Sequence, residues 1–314
     1  MTNYSKIIRP TFVKQLALEA LNIRLVNALV TQSLRPFRQL GWRSRIPVKR
    51  AFSKLPLQRD LSIEMLDPSR CVIAREIWWH NGYLSSKADQ NTLNLAISLA
   101  QDVDYFLDIG SYTGLFSLSI AKCNRQVKCL AYDIVPENFS LCFRNIIHNN
   151  LAHQVSISFK GIGSSKSLIT VPRIPRKGSL PSSIAIDSHS CDGTVVEIDT
   201  LDSLIKFSGL KFLIKIDVEG FEDSVIRGGA SLISECKPDI ICEFLTRSKG
   251  LRYIGNFLKD NGYNFFRISN KTLVQSENIE PIKSERDWLL TTKNIEDVQT
   301  ILDSFQEKNT YLNF

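Results

Sequence analysis

The side chains best placed for chemistry are four carboxylates, each standing where a short apolar run of the sequence ends. They are Asp108, Asp133, Asp217 and Glu243. A carboxylate can accept hydrogen bonds, take up a proton or face a cation. Any one of them could equally be an ordinary acid that terminates a strand. Because right-handed crossovers bring the ends of parallel strands to one edge of a sheet, the four acids together indicate a ligand site.

The first acid lies in a glycine-containing stretch, Tyr105–Leu118, which reads Y-F-L-D-I-G-S-Y-T-G-L-F-S-L. An apolar strand, a glycine turn and a helix start are how doubly wound α/β folds hold a nucleotide-like ligand. Gly110 permits a tight turn and a close approach to the ligand because it has no Cβ. The pattern is not the dinucleotide fingerprint G-x-G-x-x-G, and a glycine after a strand also serves as a plain turn.

The second acid, Asp133, follows Gly114 by nineteen positions. At about this distance a carboxylate meets a ribose diol, because its two acceptor oxygens match the two hydroxyl donors. The alternative is an acid at a helix N-terminus, beside Pro136, where the helix dipole favours negative charge.

The elements that must position these acids alternate between strand and helix patterns from residue 103 onward. They predict a doubly wound, mostly parallel α/β sheet of seven strands whose last strand runs antiparallel. The seven strands are 103–109, 127–133, 154–160, 211–217, 239–244, 263–268 and 286–292, and the predicted helices are 88–101, 114–123, 136–149, 200–207, 221–235, 248–260 and 294–307. Residues 164–194 read as a long loop that could include a strand near Leu168 to Val171, and a further short strand is predicted at 194–198.

The positive charge of the chain is concentrated at its N-terminus. Residues 1–60 hold twelve Lys or Arg and two acids, which gives +10, so the remainder of this +7 chain carries −3. We divide the chain into this basic extension, with a helix at 11–34 and a linker at 35–60, lead-in helices at 61–102 and a catalytic domain at 103–314. Charges interrupt the apolar stretch near the N-terminus, which disfavours a secretory signal and a transmembrane helix.

Three interpretations of the extension stay open. It could bind a membrane surface peripherally, pack on the catalytic domain or a second subunit, or contact nucleic acid, for which it has few stacking groups and no motif. Its Arg-rich, acid-poor composition also fits a mitochondrial transit peptide, although no cleavage boundary is visible. The seven cysteines are odd in number and form no C-x-x-C pair, as is usual for a reduced cytoplasmic protein. We expect a cytoplasmic protein that could lie at the inner membrane surface; its oligomeric state is open.

Six stretches of this chain resemble the FkbM family of S-adenosylmethionine-dependent methyltransferases. The similarity spans about Val103 to Phe244. Two departures are Tyr112, where the family usually has Asn, and Asp133-Ile134, where it has Glu-Pro. The matching stretches are F-L-D-I-G-S-Y-T-G-L-F-S at 106–117, A-Y-D-I-V-P-E-N-F at 131–139, R-N-I-I-H-N-N at 144–150, G-I-G-S at 161–164, I-D-T-L-D-S-L at 198–204 and L-I-K-I-D-V-E-G-F-E at 213–222.

The resemblance implies a sheet of the class I methyltransferase (Rossmann-like) type and methyl transfer to a hydroxyl of a sugar, glycan or natural product. Asp217 is then the first candidate for the base, with Glu243 and His80 next, or Asp217 and Glu243 could hold a divalent cation that polarises the hydroxyl. Glu219 is expected to face the next helix start. The implied cofactor-binding residues are Asp108, Gly110, Ser111, Tyr112, Gly114, Asp133, Gly161, Ile162 and Asp217.

An aromatic group ahead of the first core helix could hold the acceptor. Trp78, Trp79 and Tyr83 offer flat faces that cover sugar rings, and His80 lies among them. The alternative is a packed aromatic cluster with a structural histidine.

Two rival functions remain at this point. One is a nucleotide-dependent oxidoreductase on a similar sheet, which the missing G-x-G-x-x-G disfavours. The other is a non-catalytic protein that binds membranes or nucleic acid through residues 1–60. No Asn/Asp-Pro-Pro-aromatic sequence follows the fourth strand, which counts against methylation of nucleic-acid bases.

Overall fold

A computed structural model gives the architecture of most of the chain. It describes residues 62–64, 73–75, 87–172, 193–204, 208–269 and 272–308. The predicted features at 11–34 and 35–60, and the residues Trp78, Trp79, His80 and Tyr83, lie outside these ranges. The strands are β1 Ser62–Glu64, β2 Ile73–Arg75, β3 Tyr105–Ile109, β4 Lys128–Tyr132, β5 Val155–Ser158, β6 Gly161–Ile162, β7 Ser167–Pro172, β8 Gly193–Asp199, β9 Phe212–Ile216, β10 Asp239–Glu243, β11 Asn264–Ile268, β12 Leu273–Ser276 and β13 Asp287–Thr291. The α-helices are α1 Lys87–Leu99, α2 Leu115–Cys123, α3 Pro136–His148, α4 Leu201–Leu204, α5 Glu222–Gly228, α6 Ala230–Cys236, α7 Leu251–Asp260 and α8 Ile295–Lys308.

The main sheet has the strand order β12-β11-β13-β10-β9-β3-β4-β5. Strands β5, β4, β3, β9 and β10 pair in parallel, and β13 runs antiparallel to both of its neighbours, β10 and β11. The predicted doubly wound, mostly parallel sheet with an antiparallel last strand is therefore confirmed. It has eight strands, because β12 adds to β11 at the edge.

The order of strands reverses between β3 and β9. From β3 the chain moves outward to β4 and β5, whereas β9 starts the opposite half and leads to β10. Strand β9 is buried along its whole length, and β3 at every residue except its first, as expected for central parallel strands covered on both faces. In open α/β sheets, ligands bind outside the carboxyl ends of the strands at such a switch point.

Two local features differ in detail from the sequence prediction. The strands expected near Leu168 to Val171 and at 194–198 are β7 and β8, which pair antiparallel and form a small second sheet with β6. The helix predicted at 221–235 is divided into α5 and α6. The division falls at Gly228 and Gly229, residues of low helix propensity, and a Cβ on Gly228 would lie 1.9 Å from the carbonyl oxygen of Gly163.

The chain divides into two compact units, residues 1–65 with 73–85 and residues 66–72 with 86–314. In the first unit, the described residues form an antiparallel pair of short strands, β1 and β2. The second unit contains both larger sheets and also α1, which we had placed in the lead-in segment. Within the described residues, no helix has the length and apolarity needed to cross a membrane.

Candidate functional site

The turn after β3 lies directly against the end of β9. The amide of Asp217 donates to the carbonyl of Ile109, and a Cβ on Gly110 would stand 1.9 Å from the carbonyl oxygen of Asp217. Gly110 has φ +81°, so only glycine meets both the conformational and the steric demand. The close contact places the backbone of the turn, including Ser111 and Gly114, beside the carboxyl ends of the two central strands.

Tyr112 also has a positive φ, +52°. Non-glycine residues are uncommon in this region, and asparagine is enriched there. The family's usual asparagine therefore suits the turn better than the tyrosine of this chain. The amide of Tyr112 donates to Asp133 Oδ2 at 2.8 Å, which helps to fix the turn.

Asp133 connects the glycine turn to the start of α3. Its Oδ1 accepts from the amide of Val135 at 2.8 Å, and the side-chain amide of Asn138 donates to both carboxyl oxygens at 3.3 and 3.4 Å. Burial raises the pKa of Asp133 to about 7, against the lowering effect of these hydrogen bonds. The structure thus places Asp133 beside the turn, as a ribose-binding acid requires, and also at the helix N-terminus, as in the alternative interpretation.

Asp108 lies beneath the turn and is almost fully buried. Its carboxyl accepts from the hydroxyl of Ser117 at 2.7 Å and from the amide of the same residue at 3.3 Å. Burial raises its pKa, whereas the positive charge of Lys215 opposes that change. Asp108 therefore contacts protein groups below the surface of the site and links β3 to α2.

Asp217 and Glu243 are brought together at the ends of the adjacent strands β9 and β10. Lys215 Nζ lies 2.9 Å from Asp217 Oδ2 and 4.8 Å from the ring centroid of Phe116. The carboxyl groups of Glu243 and Asp217 lie near each other. Asp217 is 30% exposed, whereas Lys215 is only 8% exposed, so the carboxyl faces the site and the ammonium group supports it from below.

Burial is the main reason that the pKa of Glu243 rises to about 8, and the negative charges of Asp217 and Asp287 add to the effect. Glu243 is therefore mostly protonated at neutral pH and is a hydrogen-bond donor there. Burial lowers the pKa of Lys215, but the nearby carboxylates Asp217, Asp108 and Asp287 outweigh it and raise that pKa overall.

Sequence reasoning assigned no role to Lys215 or Asp287. The position of Lys215 could have been predicted, because side chains two residues apart on a strand point to the same face and Lys215 is two residues before Asp217. Asp287 gave no such signal, since its place opposite Glu243 depends on the antiparallel register of β10 and β13. Its carboxyl accepts from Thr92 Oγ1 at 2.6 Å, which connects the site to α1.

The expectation that Glu219 faces the start of the next helix is wrong. Its carboxylate pairs with Arg247 at 3.0 Å. The acid at the helix start is Glu222, which is fully buried and accepts from the amide of Gly220 at 2.6 Å. Glu219 has φ +55° and Gly220 φ +110°, so the bond from Gly220 to Glu222 holds a turn of two left-handed residues.

Gly161 and Ile162 form β6, next to the end of β4. A Cβ on Gly161 would lie 2.9 Å from Ile134 Cγ2 and 2.4 Å from Ile198 Cδ1, so the strand packs closely against the residue after Asp133. Ile162 is buried in the core. Among the residues described, no group of three or more His, Cys, Asp or Glu side chains could hold a metal ion.

The family of this chain is shown by comparison with known protein families. The methyltransferase FkbM domain matches residues 108–265, which is half of the chain. No curated protein sequence matches.

Several solved structures are similar to part of this chain at low sequence identity. One is the methyltransferase FkbM from Methylobacillus flagellatus KT, at 15% identity and TM-score 0.41, covering 60% of this chain and 44% of that one. This chain thus spans less than half of that protein's length. A putative rRNA-methylase from Clostridium thermocellum has 9% identity and TM-score 0.41, and the match covers 66% of this chain and 96% of that one. A SAM-dependent O-methyltransferase from Thermotoga maritima has 10% identity and TM-score 0.36, and the match covers 65% of this chain and 66% of that one. The family match contains the glycine turn and the ends of β4, β9 and β10, and by that match the chain belongs to the FkbM methyltransferase family.

Proposed function

We propose that the protein transfers a methyl group from S-adenosylmethionine to a hydroxyl oxygen of a sugar, glycan or natural-product acceptor. The observation that carries this proposal is the position of Asp217. Its carboxylate is partly exposed, is paired with a buried lysine and lies against the glycine turn at the switch point of the sheet. Membership of a methyltransferase family supports methyl transfer, while the choice of oxygen as the acceptor atom rests on the carboxylate.

The residues present fit a nucleoside cofactor. Asp133 accepts hydrogen bonds from the amides of Tyr112 and Val135, whereas its contacts with the Asn138 side chain, at 3.3 and 3.4 Å, are long enough to be exchanged for ribose hydroxyl donors. Asn138 Oδ1, beside it, is buried without a hydrogen-bond partner among the described residues. Buried polar atoms are rarely left unpaired in proteins, so this oxygen favours a bound polar ligand. Asp133 would hold the ribose, and the Gly110–Gly114 turn would lie along the rest of the cofactor.

Bound S-adenosylmethionine supplies a methyl carbon that is already electrophilic because its sulfur is positively charged. The acceptor oxygen forms the new bond to that carbon while the electron pair of the carbon–sulfur bond stays on sulfur. Asp217 takes the hydroxyl proton as the oxygen loses it, and alignment of the two reactants accounts for much of the remaining acceleration. Lys215 pairs with this carboxylate at 2.9 Å and fixes its position before the transfer.

Glu243 acts on Asp217 rather than on the acceptor. Because it is mostly protonated at neutral pH, it is a hydrogen-bond donor there and a poor base. As a donor beside Asp217, it fixes the orientation of that carboxyl group. We assign Asp217 the role of the base because its carboxylate is partly exposed and is positioned by Lys215.

Asp217→Asn tests the assignment, because it keeps the shape and removes the negative charge. It should lower methyl transfer by about two to four orders of magnitude. The assay follows labelled methyl groups from S-adenosylmethionine into glycan and small-molecule fractions of cells that lack the protein. Cofactor affinity, measured by calorimetry, should change little.

The matched control is Asp260→Asn, at an exposed position at the end of α7. It should leave the rate unchanged. Near-normal activity of Asp217→Asn would refute the role of Asp217. A strong effect of a chelator on the wild-type rate would favour a metal-assisted reaction instead. If no fraction accepts a methyl group, a non-catalytic role becomes the better explanation.

A further inference from the structure

Cations surround the acids of the candidate site on its outer side. Glu219 is 25% exposed and Glu243 is 21% exposed, whereas their partners Arg247 and Arg286 are 67% and 45% exposed. The contacts are 3.0 Å for Glu219 with Arg247 and 3.4 Å for Glu243 with Arg286. The carboxyl groups thus lie inside the site, and the guanidinium groups form its rim.

Both arginines are placed by loops at the carboxyl edge of the sheet. Arg247 follows β10, and Arg286 directly precedes β13, whose Asp287 is opposite Glu243. The charges of both arginines lower the pKa of Glu219, although burial has the larger effect and raises it. The charges of both guanidinium groups therefore act on the carboxylate of Glu219, so both groups lie on the same side of the site.

The loops around these arginines are basic. Residues 246–252 hold Arg247, Lys249 and Arg252 without any acid, and Lys283 lies three residues before Arg286. The acid in the second loop, Glu285, pairs with Arg267 at 3.1 Å. Residues 61–314 together have a net charge of −3, so the basic character of these loops is local and is not shared by the rest of that segment.

The guanidinium groups keep donors for a ligand. Arginine has five N–H donors, and Arg247 contributes only Nη2 to its contact with Glu219. Arg286 uses Nη1 for Glu243 and Nε for the carbonyl of Lys283. The other N–H groups of both side chains have no partner in the described part of the chain. Planar guanidinium groups bind phosphate and carboxylate through two parallel hydrogen bonds.

We propose that the methyl acceptor carries an anionic group, a phosphate or a carboxylate, which binds to Arg247 and Arg286 while its hydroxyl faces Asp217. This inference rests on the proposed function and narrows its substrate to anionic sugars and related hydroxyl compounds. A neutral acceptor has no need of a basic rim, and a site lined only by carboxylates would repel an anion. Arg286 precedes β13, which lies two strand spacings, about 10 Å, from β9 and Asp217, so the anionic group and the hydroxyl occupy different positions on the acceptor.

The test measures binding to the full chain by calorimetry without any turnover. The probes are glucose 1-phosphate, glucuronate and neutral glucose. An anionic probe should bind at least about ten times more tightly than glucose. Higher salt should weaken that binding and leave glucose unaffected. The stronger of the two anionic probes identifies the group as phosphate or carboxylate.

Arg247→Gln and Arg286→Gln should each weaken binding of the anionic probe by about tenfold, because each removes charge-assisted hydrogen bonds. The matched control is Arg125→Gln, at an exposed position in the turn between α2 and β4 at the opposite edge of the sheet, and it should leave this affinity unchanged. Melting curves verify that the variants fold. Equal binding of all three probes, or equal losses in all three variants, would overturn the proposal. If S-adenosylmethionine fails to bind while the anionic probe binds, the proposed function fails and the anion site stands.

Discussion

Glu243→Gln should stabilise the protein at alkaline pH and leave methyl transfer nearly intact. Burial, with the charges of Asp217 and Asp287, raises the pKa of Glu243 to about 8, so its carboxyl is mostly protonated at neutral pH. Glutamine has the same size, and its side-chain amide is also a hydrogen-bond donor. The variant thus reproduces the protonated glutamate and cannot ionise.

The size of the effect follows from two pKa values. The ordinary value for glutamate is 4.5, and in the folded protein it is about 8. At pH values between these two pKa values, the folded protein keeps a proton on Glu243 that the unfolded chain has released. The free energy of unfolding is therefore highest below the lower value and decreases as the pH rises through the upper one. Between about pH 5 and about pH 9, the loss is about 4 kcal/mol. Glu243→Gln removes this loss.

The assay is urea denaturation of both proteins across this pH range, with Glu280→Gln, at an exposed position, as the control. The advantage of Glu243→Gln over the wild type should grow as the pH rises, while the control follows the wild type. Parallel curves for all three proteins would show that Glu243 is not protonated in the folded state. A loss of methyl transfer as large as that of Asp217→Asn would show that Glu243 is the ionised base.

Three further outcomes are expected. Asp133→Ala should weaken binding of S-adenosylmethionine by about 1–3 kcal/mol, because ribose donors lose their acceptor, and calorimetry that finds unchanged affinity removes this role. Gly110→Ala should lower the melting temperature more than Gly262→Ala. Both glycines have φ near +80°, where an alanine costs about 1–2 kcal/mol, but only at Gly110 would the new Cβ also collide with the carbonyl of Asp217. Equal decreases in melting temperature would contradict this contact. We propose that residues 1–60, with their charge of +10, attach the protein to anionic lipid at about 1 kcal/mol per cation near the surface. In liposome flotation, the full chain should then bind in a salt-sensitive way and a chain starting at Leu61 should not, whereas equal binding of both leaves packing of the extension as the explanation.

The central sheet was predictable because its strands are buried on both faces. Phe212–Ile216 and Asp239–Glu243 read as short apolar runs, and helices with one apolar face separate them. The second sheet was harder to predict, because most described residues of β7 and β8 are exposed or half-buried, and Val171 and Val196 are the buried ones. Leu168 and Val195 are exposed although apolar, so their hydrophobicity did not indicate a face. The pairing of these strands across residues 173–192 is a long-range contact that local patterns do not contain.

The positions of the site acids were also predictable, but their charge states were not. Residue types at strand ends indicated that Asp133, Asp217 and Glu243 share one edge of the sheet. Which of them is ionised depends on burial and on neighbours contributed by other strands. Lys215 reaches Asp217 along the same strand, whereas Asp287 reaches Glu243 only through the register of β10 and β13. The sequence alone therefore left Asp217 and Glu243 as alternatives for the base, and the contacts around them favour Asp217.

Strand β10 provides an internal comparison for this assignment, because it begins and ends with an acid. Asp239, at its start, is buried, but Lys293 Nζ lies 2.7 Å from its carboxylate and the hydroxyl of Thr291 donates to it. Glu243, at its end, contacts Arg286 at a longer distance of 3.4 Å, and burial, together with the charges of Asp217 and Asp287, keeps its proton bound. An acid retained only for the fold should be compensated in the manner of Asp239, since uncompensated burial of a charge is costly. The contrast within one strand supports a role in the reaction for the acids at the carboxyl edge, where perturbed pKa values are typical of functional sites.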